Sequence, residues 1–220
     1  MPMGQFFDPS MFGLELAYTT IIVILCFLVY HKTKEMYELT KHKGIHHFRN
    51  AFLFFGLSYV GRFLVHIFQL GMIALDIWMP RSIFFPIMMI IVGYFSTMAL
   101  FFLGYSVIWK KIEYSKFIVF ANIIATIVSL FAFISRSPMI LSVVQLPLLV
   151  LIVVLILKKH SATKKVQIKT LYISIAAFWL ISLFLVGPKR MIPFELIFLL
   201  QGISIALFAI IYHKVTKWTT

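Results

Sequence analysis

The chain of 220 residues is 62% hydrophobic and 12% charged, with a mean hydropathy of +1.01 and a net charge of +13. Soluble chains carry about a quarter charged residues, so this composition excludes an ordinary soluble domain and points to lipid. The basic residues sit in short clusters between apolar runs, the pattern that orients membrane proteins, and no basic face or readout module for nucleic acid is visible.

Residues 1–220 read as one all-α domain: a polytopic integral membrane protein, a seven-transmembrane helix bundle. The apolar segments are 14–30, 48–70, 83–109, 117–134, 139–157, 171–186 and 194–212. The first and sixth are short for a bilayer core of about 30 Å, so their helices are expected to extend into flanking polar residues. The first has Asp8 and Glu15 before it and Lys32 and Lys34 after it. That is the pattern of a retained helix with its N-terminus outside, and not of a cleaved signal peptide. Its Cys26 is the single cysteine, which rules out an intramolecular disulfide and reads as a small buried hydrophobe.

From His31 onward no Gly or Pro interrupts the chain until Gly44, so the first helix is expected to run into the cytoplasm and stop there. Lys32, Lys34, Lys41, Lys43 and Arg49 then lie against the inner leaflet, each gaining about 1 kcal/mol from anionic lipid. The same residues also offer a docking surface for a cytoplasmic partner. His42, His46 and His47 raise the question of a metal. Gly44 is expected to break the spacing of the first two, and no Cys, Asp or Glu stands near enough to complete a set.

The second segment carries Ser58, Arg62, His66 and Gln69 at spacings of four, four and three, one polar stripe on a helix. An ionisable residue inside a spanning helix costs at least about 2.5 kcal/mol on insertion scales, so the stripe should face protein or a water-filled cavity. In the third segment Gly93, Ser96, Thr97 and Gly104 are small enough to let helices approach closely. In the fourth, Asn122, Thr126, Ser129 and Arg136 share a helical face. The fifth holds Gln145 and Pro147, and the proline is expected to kink it.

Four connections, 31–47, 110–116, 158–170 and the C-terminal tail, hold 14 Lys, to which Arg49 adds one. The opposite side holds Arg81, Arg136, Lys189 and Arg190. The positive-inside rule therefore places the N-terminus outside and the C-terminus in the cytoplasm. Arg62 then lies roughly 20 Å from the inner edge of the core, in its outer third. Glu15 and Glu195 begin the first and seventh helices at the same side, where the helix dipole favours a carboxylate. The pattern predicts an outward-facing polar pocket of Arg62, His66, Ser58 and Gln69, closed by Glu15 or Glu195. The competing reading is a structural clamp between Arg62 and Glu195, or an arginine that snorkels to the headgroups.

A retinal protein needs a lysine near the middle of its last helix, but here Lys189 precedes that helix and Lys214 follows it. Neither Asp-Arg-Tyr nor Asn-Pro-x-x-Tyr of the common G-protein-coupled receptors occurs at its place, and topology alone says little about function. No paired carboxylate, activated nucleophile or metal cluster lies within the apolar segments, so an enzyme has little support and no cofactor or metal is expected. The sequence favours a non-catalytic multi-pass protein of the cell membrane, a receptor-like or sensory module. Its chain ends soon after Tyr212, so a signal would pass to a cytoplasmic or membrane protein partner. The alternatives are a small-solute or anion transporter or channel, and a structural subunit of a membrane complex. The bilayer itself is the first partner, and a homo-oligomer is compatible with the sequence.

Overall fold

Backbone groups in hydrocarbon must be satisfied within their own segment or within a closed barrel, because no water is there to bind them. The computed structural model describes residues 9–75, 81–137, 139–161, 166–186 and 193–217. It takes the helical solution: 94% of the described residues are helical and none is in a strand. The helices are α1 (Pro9–Thr40), α2 (Lys43–Ala74), α3 (Arg81–Ile108), α4 (Tyr114–Ser135), α5 (Met139–Ser161), α6 (Val166–Val186) and α7 (Phe194–Lys217). Six contain stretches long and apolar enough to cross a membrane, while α6 contributes a shorter one, Lys169–Leu185. Both short segments do extend into polar flanks. Of the charges used to orient the chain, Asp8, Lys164, Lys165, Lys189 and Arg190 lie outside the described residues.

Two helix ends depart from the sequence reading. The first helix does not run to Gly44. It stops at Thr40, and Lys41 turns left-handed at φ 51, its N–H donating to the Tyr37 carbonyl at 2.7 Å. Gly44 lies instead in the first turn of α2. A Cβ there would stand 2.9 Å from His42 and 3.0 Å from the Trp109 indole nitrogen, so its smallness serves packing and not a helix stop. Arg136 likewise leaves the polar face of α4, because it is the left-handed C-cap of that helix at φ 51. The helix α5 continues through Pro147 to Ser161.

Helices α1, α2, α3, α5, α6 and α7 pack in that cyclic order, and α4 lies outside the ring against α3 and α5. The close approaches use small residues. A Cβ on Gly56 would stand 3.1 Å from the Cβ of buried Cys26, and one on Gly93 would meet Leu141 at 3.0 Å and the Ser129 backbone at 3.4 Å. Outward faces are apolar, as with Val119, Phe120, Ile123, Ile127 and Phe131 on α4, all more than half exposed. Such a surface suits acyl chains and not water. It is the surface of a membrane protein.

Gly56→Leu should therefore force α1 and α2 apart and lower the stability of the detergent-solubilised protein by about 1–3 kcal/mol. Gly202 meets nothing within 4 Å, so Gly202→Ala should be neutral or raise stability by up to about 1 kcal/mol. Denaturant unfolding of the two variants checks the contrast.

Candidate functional site

Successive residues on a helix advance by about 100°, so a stripe with steps of four winds round its helix by roughly 40° at each step. The polar side chains of α2 consequently meet different neighbours. Ser58 is fully buried and its hydroxyl points to the Val92 carbonyl of α3 at 3.5 Å. Arg62 lies half-buried with its guanidinium carbon 4.6 Å from the centre of the Tyr59 ring. It lines a narrow cavity with Ser96, Gln145, Trp179 and Ser182, from α3, α5 and α6. The cavity holds only about 10 Å³, the lower bound for one water. His66, a turn further on, has its Nε2 3.7 Å from the Glu15 carboxylate of α1, and the Phe12 ring meets the imidazole edge-on at 5.4 Å. Gln69 is half-buried beyond it.

The structure thus joins His66 to Glu15 and leaves Arg62 in a different setting. Glu195 is exposed in the first turn of α7, and no ion pair joins it to Arg62 among the described residues. What faces the arginine instead is a layer of neutral polar groups that charge counting did not reveal. The Tyr18 hydroxyl of α1 lies 2.9 Å from Ser204 of α7 and 3.2 Å from the Tyr59 hydroxyl, which donates to Ser182 of α6 at 3.2 Å. Ser182 donates in turn to the Phe178 carbonyl at 3.1 Å. Each hydroxyl carries one hydrogen. Because Tyr59 spends its own on Ser182, Tyr18 must donate to Tyr59, and Ser204 to Tyr18. One directed chain of hydrogen bonds therefore ties α1, α2, α6 and α7. On the other side of Arg62, the Gln145 amide donates to Ser96 at 2.6 Å and to Thr97 at 3.2 Å, tying α5 to α3.

Toward the Lys43 end this layer is backed by rings. Phe55, one turn from Tyr59, packs on Phe178 with centroids 5.3 Å apart and on Trp179 at 4.4 Å. Phe178 meets Phe208 edge-on at 4.8 Å, and Phe208 meets Phe52 at 5.8 Å. Phe52, Phe55, Phe178 and Phe208 are all buried. The basic residues expected near the inner leaflet lie at this end. Lys32 bridges Glu35 at 2.9 Å, Lys34 reaches Glu38 at 3.9 Å, Lys41 lies over Tyr37, and Arg49 lies over Tyr30 and Tyr37. Lys43 lines a separate cleft.

Arg62 is held by a ring face, which contributes about 0.5–2 kcal/mol. An arginine inside a spanning helix costs up to about 2.5–3.5 kcal/mol, the value at the helix centre. The contact does not offset the cost. Replacing the guanidinium by an apolar chain of similar length, Arg62→Met, should raise stability by about 1 kcal/mol in denaturant unfolding. A structural clamp would give a loss. Tyr59→Phe removes two links of the hydroxyl chain and should cost about 0.6–1.7 kcal/mol in the same assay.

No family model matches the chain, and no solved structure matches it. A protein of Archaeoglobus fulgidus, described as an uncharacterized protein, is 31% identical over 210 residues, which cover 92% of this chain and 91% of the relative. A match of that reach leaves too few residues outside it to omit any of the seven helices. The chain belongs to the same family as this archaeal protein.

Proposed function

We propose that this chain is a non-catalytic, seven-spanning protein of the cell membrane that acts as a receptor-like or sensory module. The N-terminus is outside, the C-terminus is cytoplasmic, and the polar layer around Arg62 lies toward the outer face. The basic end, with Lys32, Lys34, Lys41, Lys43 and Arg49, then faces the cytoplasm and is available to a protein partner. One observation carries the reading. Polar groups from six helices converge on one layer, and buried rings of Phe52, Phe55, Phe178 and Phe208 fill the bundle toward its Lys43 end. A polar layer toward one face, with packed rings toward the other, suits detection of a solute, whereas transport needs access from both faces.

Arg62 lacks an ion-pair partner among the described residues, so the ligand class that fits is a small anion, in particular a carboxylate. The same charge favours a second reading, an anion transporter or channel. One experiment separates them. A panel of small carboxylates and inorganic anions is screened for thermal stabilisation of the purified protein, and each hit is tested for uptake into proteoliposomes. A ligand present at about a hundred times its dissociation constant adds about 2.7 kcal/mol, several degrees in Tm. Sensing predicts a hit that Arg62→Gln abolishes and that is not taken up. Uptake lost in Arg62→Gln would establish transport, and a screen without hits would remove the ligand site altogether.

Orientation is checked on α4, whose exposed Ser115 and Ser135 lie at opposite ends. Cys26 is buried, so an introduced thiol dominates labelling. An impermeant maleimide added to intact cells should label Ser135→Cys and spare Ser115→Cys.

A further inference from the structure

At the Lys43 end, away from the Arg62 layer, a cleft of about 620 Å³ opens between the start of α2, the end of α3 and the start of α4. Lys43, Lys110 and Lys111 line it. Glu113 is the acid among its lining residues, and that carboxylate lies 3.3 Å from the Lys116 ammonium. Two helices begin here. His42 caps α2 and Glu113 caps α4, both in extended backbone and neither with a side-chain capping bond. The first-turn amides of both helices therefore lack a side-chain acceptor, and both helix dipoles present their positive ends.

The wall of the cleft includes a ring with an unpaired nitrogen. His47 is 6% exposed, and its Nδ1 is buried without a hydrogen-bond partner among the described residues. The imidazole is fixed between aromatic rings: Tyr114 stacks on it at 5.3 Å, Phe102 at 6.3 Å, and Tyr105 meets it edge-on at 4.5 Å. The Tyr105 hydroxyl donates to the Ile112 carbonyl at 2.9 Å and so holds the loop that carries Lys110 and Lys111. Lys110 lies over the Trp109 ring at 5.4 Å, and that indole is admitted beside α2 because residue 44 is glycine. An unsatisfied buried polar atom costs about 1–3 kcal/mol, and in the tautomer that places the proton on Nδ1 a bound acceptor removes that cost.

We propose that this cleft binds a phosphate group, carried either by an anionic phospholipid or by a soluble phosphate ester. Three ammonium groups, two helix N-termini and an imidazole nitrogen match the several acceptor oxygens and the charge of a phosphate. The position favours the lipid: the cleft lies where spanning helices leave the apolar zone, among Trp and Tyr side chains of the kind that gather at headgroup depth. The inference is independent of the sensory reading, since it uses none of the residues around Arg62.

Native mass spectrometry of the full chain, with phosphatidylglycerol and phosphatidylcholine offered in competition, tests it. Retention of phosphatidylglycerol should exceed that of phosphatidylcholine by at least about tenfold. The triple variant Lys43→Gln, Lys110→Gln, Lys111→Gln should abolish that preference. A control that removes equal charge from the same end, Lys34→Gln, Lys41→Gln, Lys217→Gln, should keep it. His47→Phe should weaken retention several-fold, and His47→Asn, which returns a donor near Nδ1, should restore most of it. Displacement by glycerol 3-phosphate assigns the cleft to a soluble ester, whereas lipid that resists displacement assigns it to the headgroup. Equal losses in the two triple variants, or no preference in the native chain, would overturn the proposal.

Discussion

The guanidinium of Arg62 has to be kept away from acyl chains, and much of the way α2 sits among its neighbours serves that need. Its charge points into the bundle, over the Tyr59 ring and beside Ser96, Gln145 and Ser182. Those neighbours are not free to move. Tyr59 is locked through Tyr18 and Ser182 into a hydrogen-bond chain that crosses four helices, and Gln145 joins two more. A neutral polar layer of this kind lowers the cost of a charge without cancelling it, which an acid would do. The charge therefore stays without an ion-pair partner among the described residues.

The two ends of the bundle divide the chemistry between them. The Glu15 end carries the Arg62 layer and the His66–Glu15 contact, set on helices that are otherwise apolar. The Lys43 end carries ammonium groups in quantity, helical ion pairs on α1, and aromatic rings that border them. Rings of Phe52, Phe55, Phe178 and Phe208 separate the two. Close-packed rings transmit displacement poorly as flow but well as strain, because such a core has few voids to absorb it.

Helix number and approximate extent were legible in the sequence because the apolar runs are long and the charges between them are clustered. The inward orientation of Ser58 and Arg62 was legible too, from their spacing together with the cost of a charge in lipid. Other features were not. Lys41 and Arg136 end their helices in the left-handed conformation that glycine usually takes, so residue type pointed to Gly44 and to a longer polar face on α4. Gly44 had a packing role that needed the position of Trp109, more than sixty residues away, to be seen. Tyr18 and Tyr59 were counted among apolar residues, and their hydroxyl chain depends on pairings across sequence separations of 41, 123 and 186, for which spacing carries no signal. Glu15 or Glu195 was expected to close a pocket of Arg62 and His66, and spacing alone could not say which acid meets which base; the structure sets Glu15 3.7 Å from His66. The winding of the α2 stripe brings His66, not Arg62, to α1.

The central claim is that position 62 faces protein and not lipid. Spin labels attached at Arg62→Cys and, separately, at Ile123→Cys in a Cys26→Ala background report it directly, through their collision rates with oxygen and with a water-soluble nickel chelate in liposomes. The account predicts low oxygen accessibility at position 62 against high accessibility at 123, which lies on the exposed apolar face of α4. Oxygen collision rates at position 62 as high as those at 123 would contradict it.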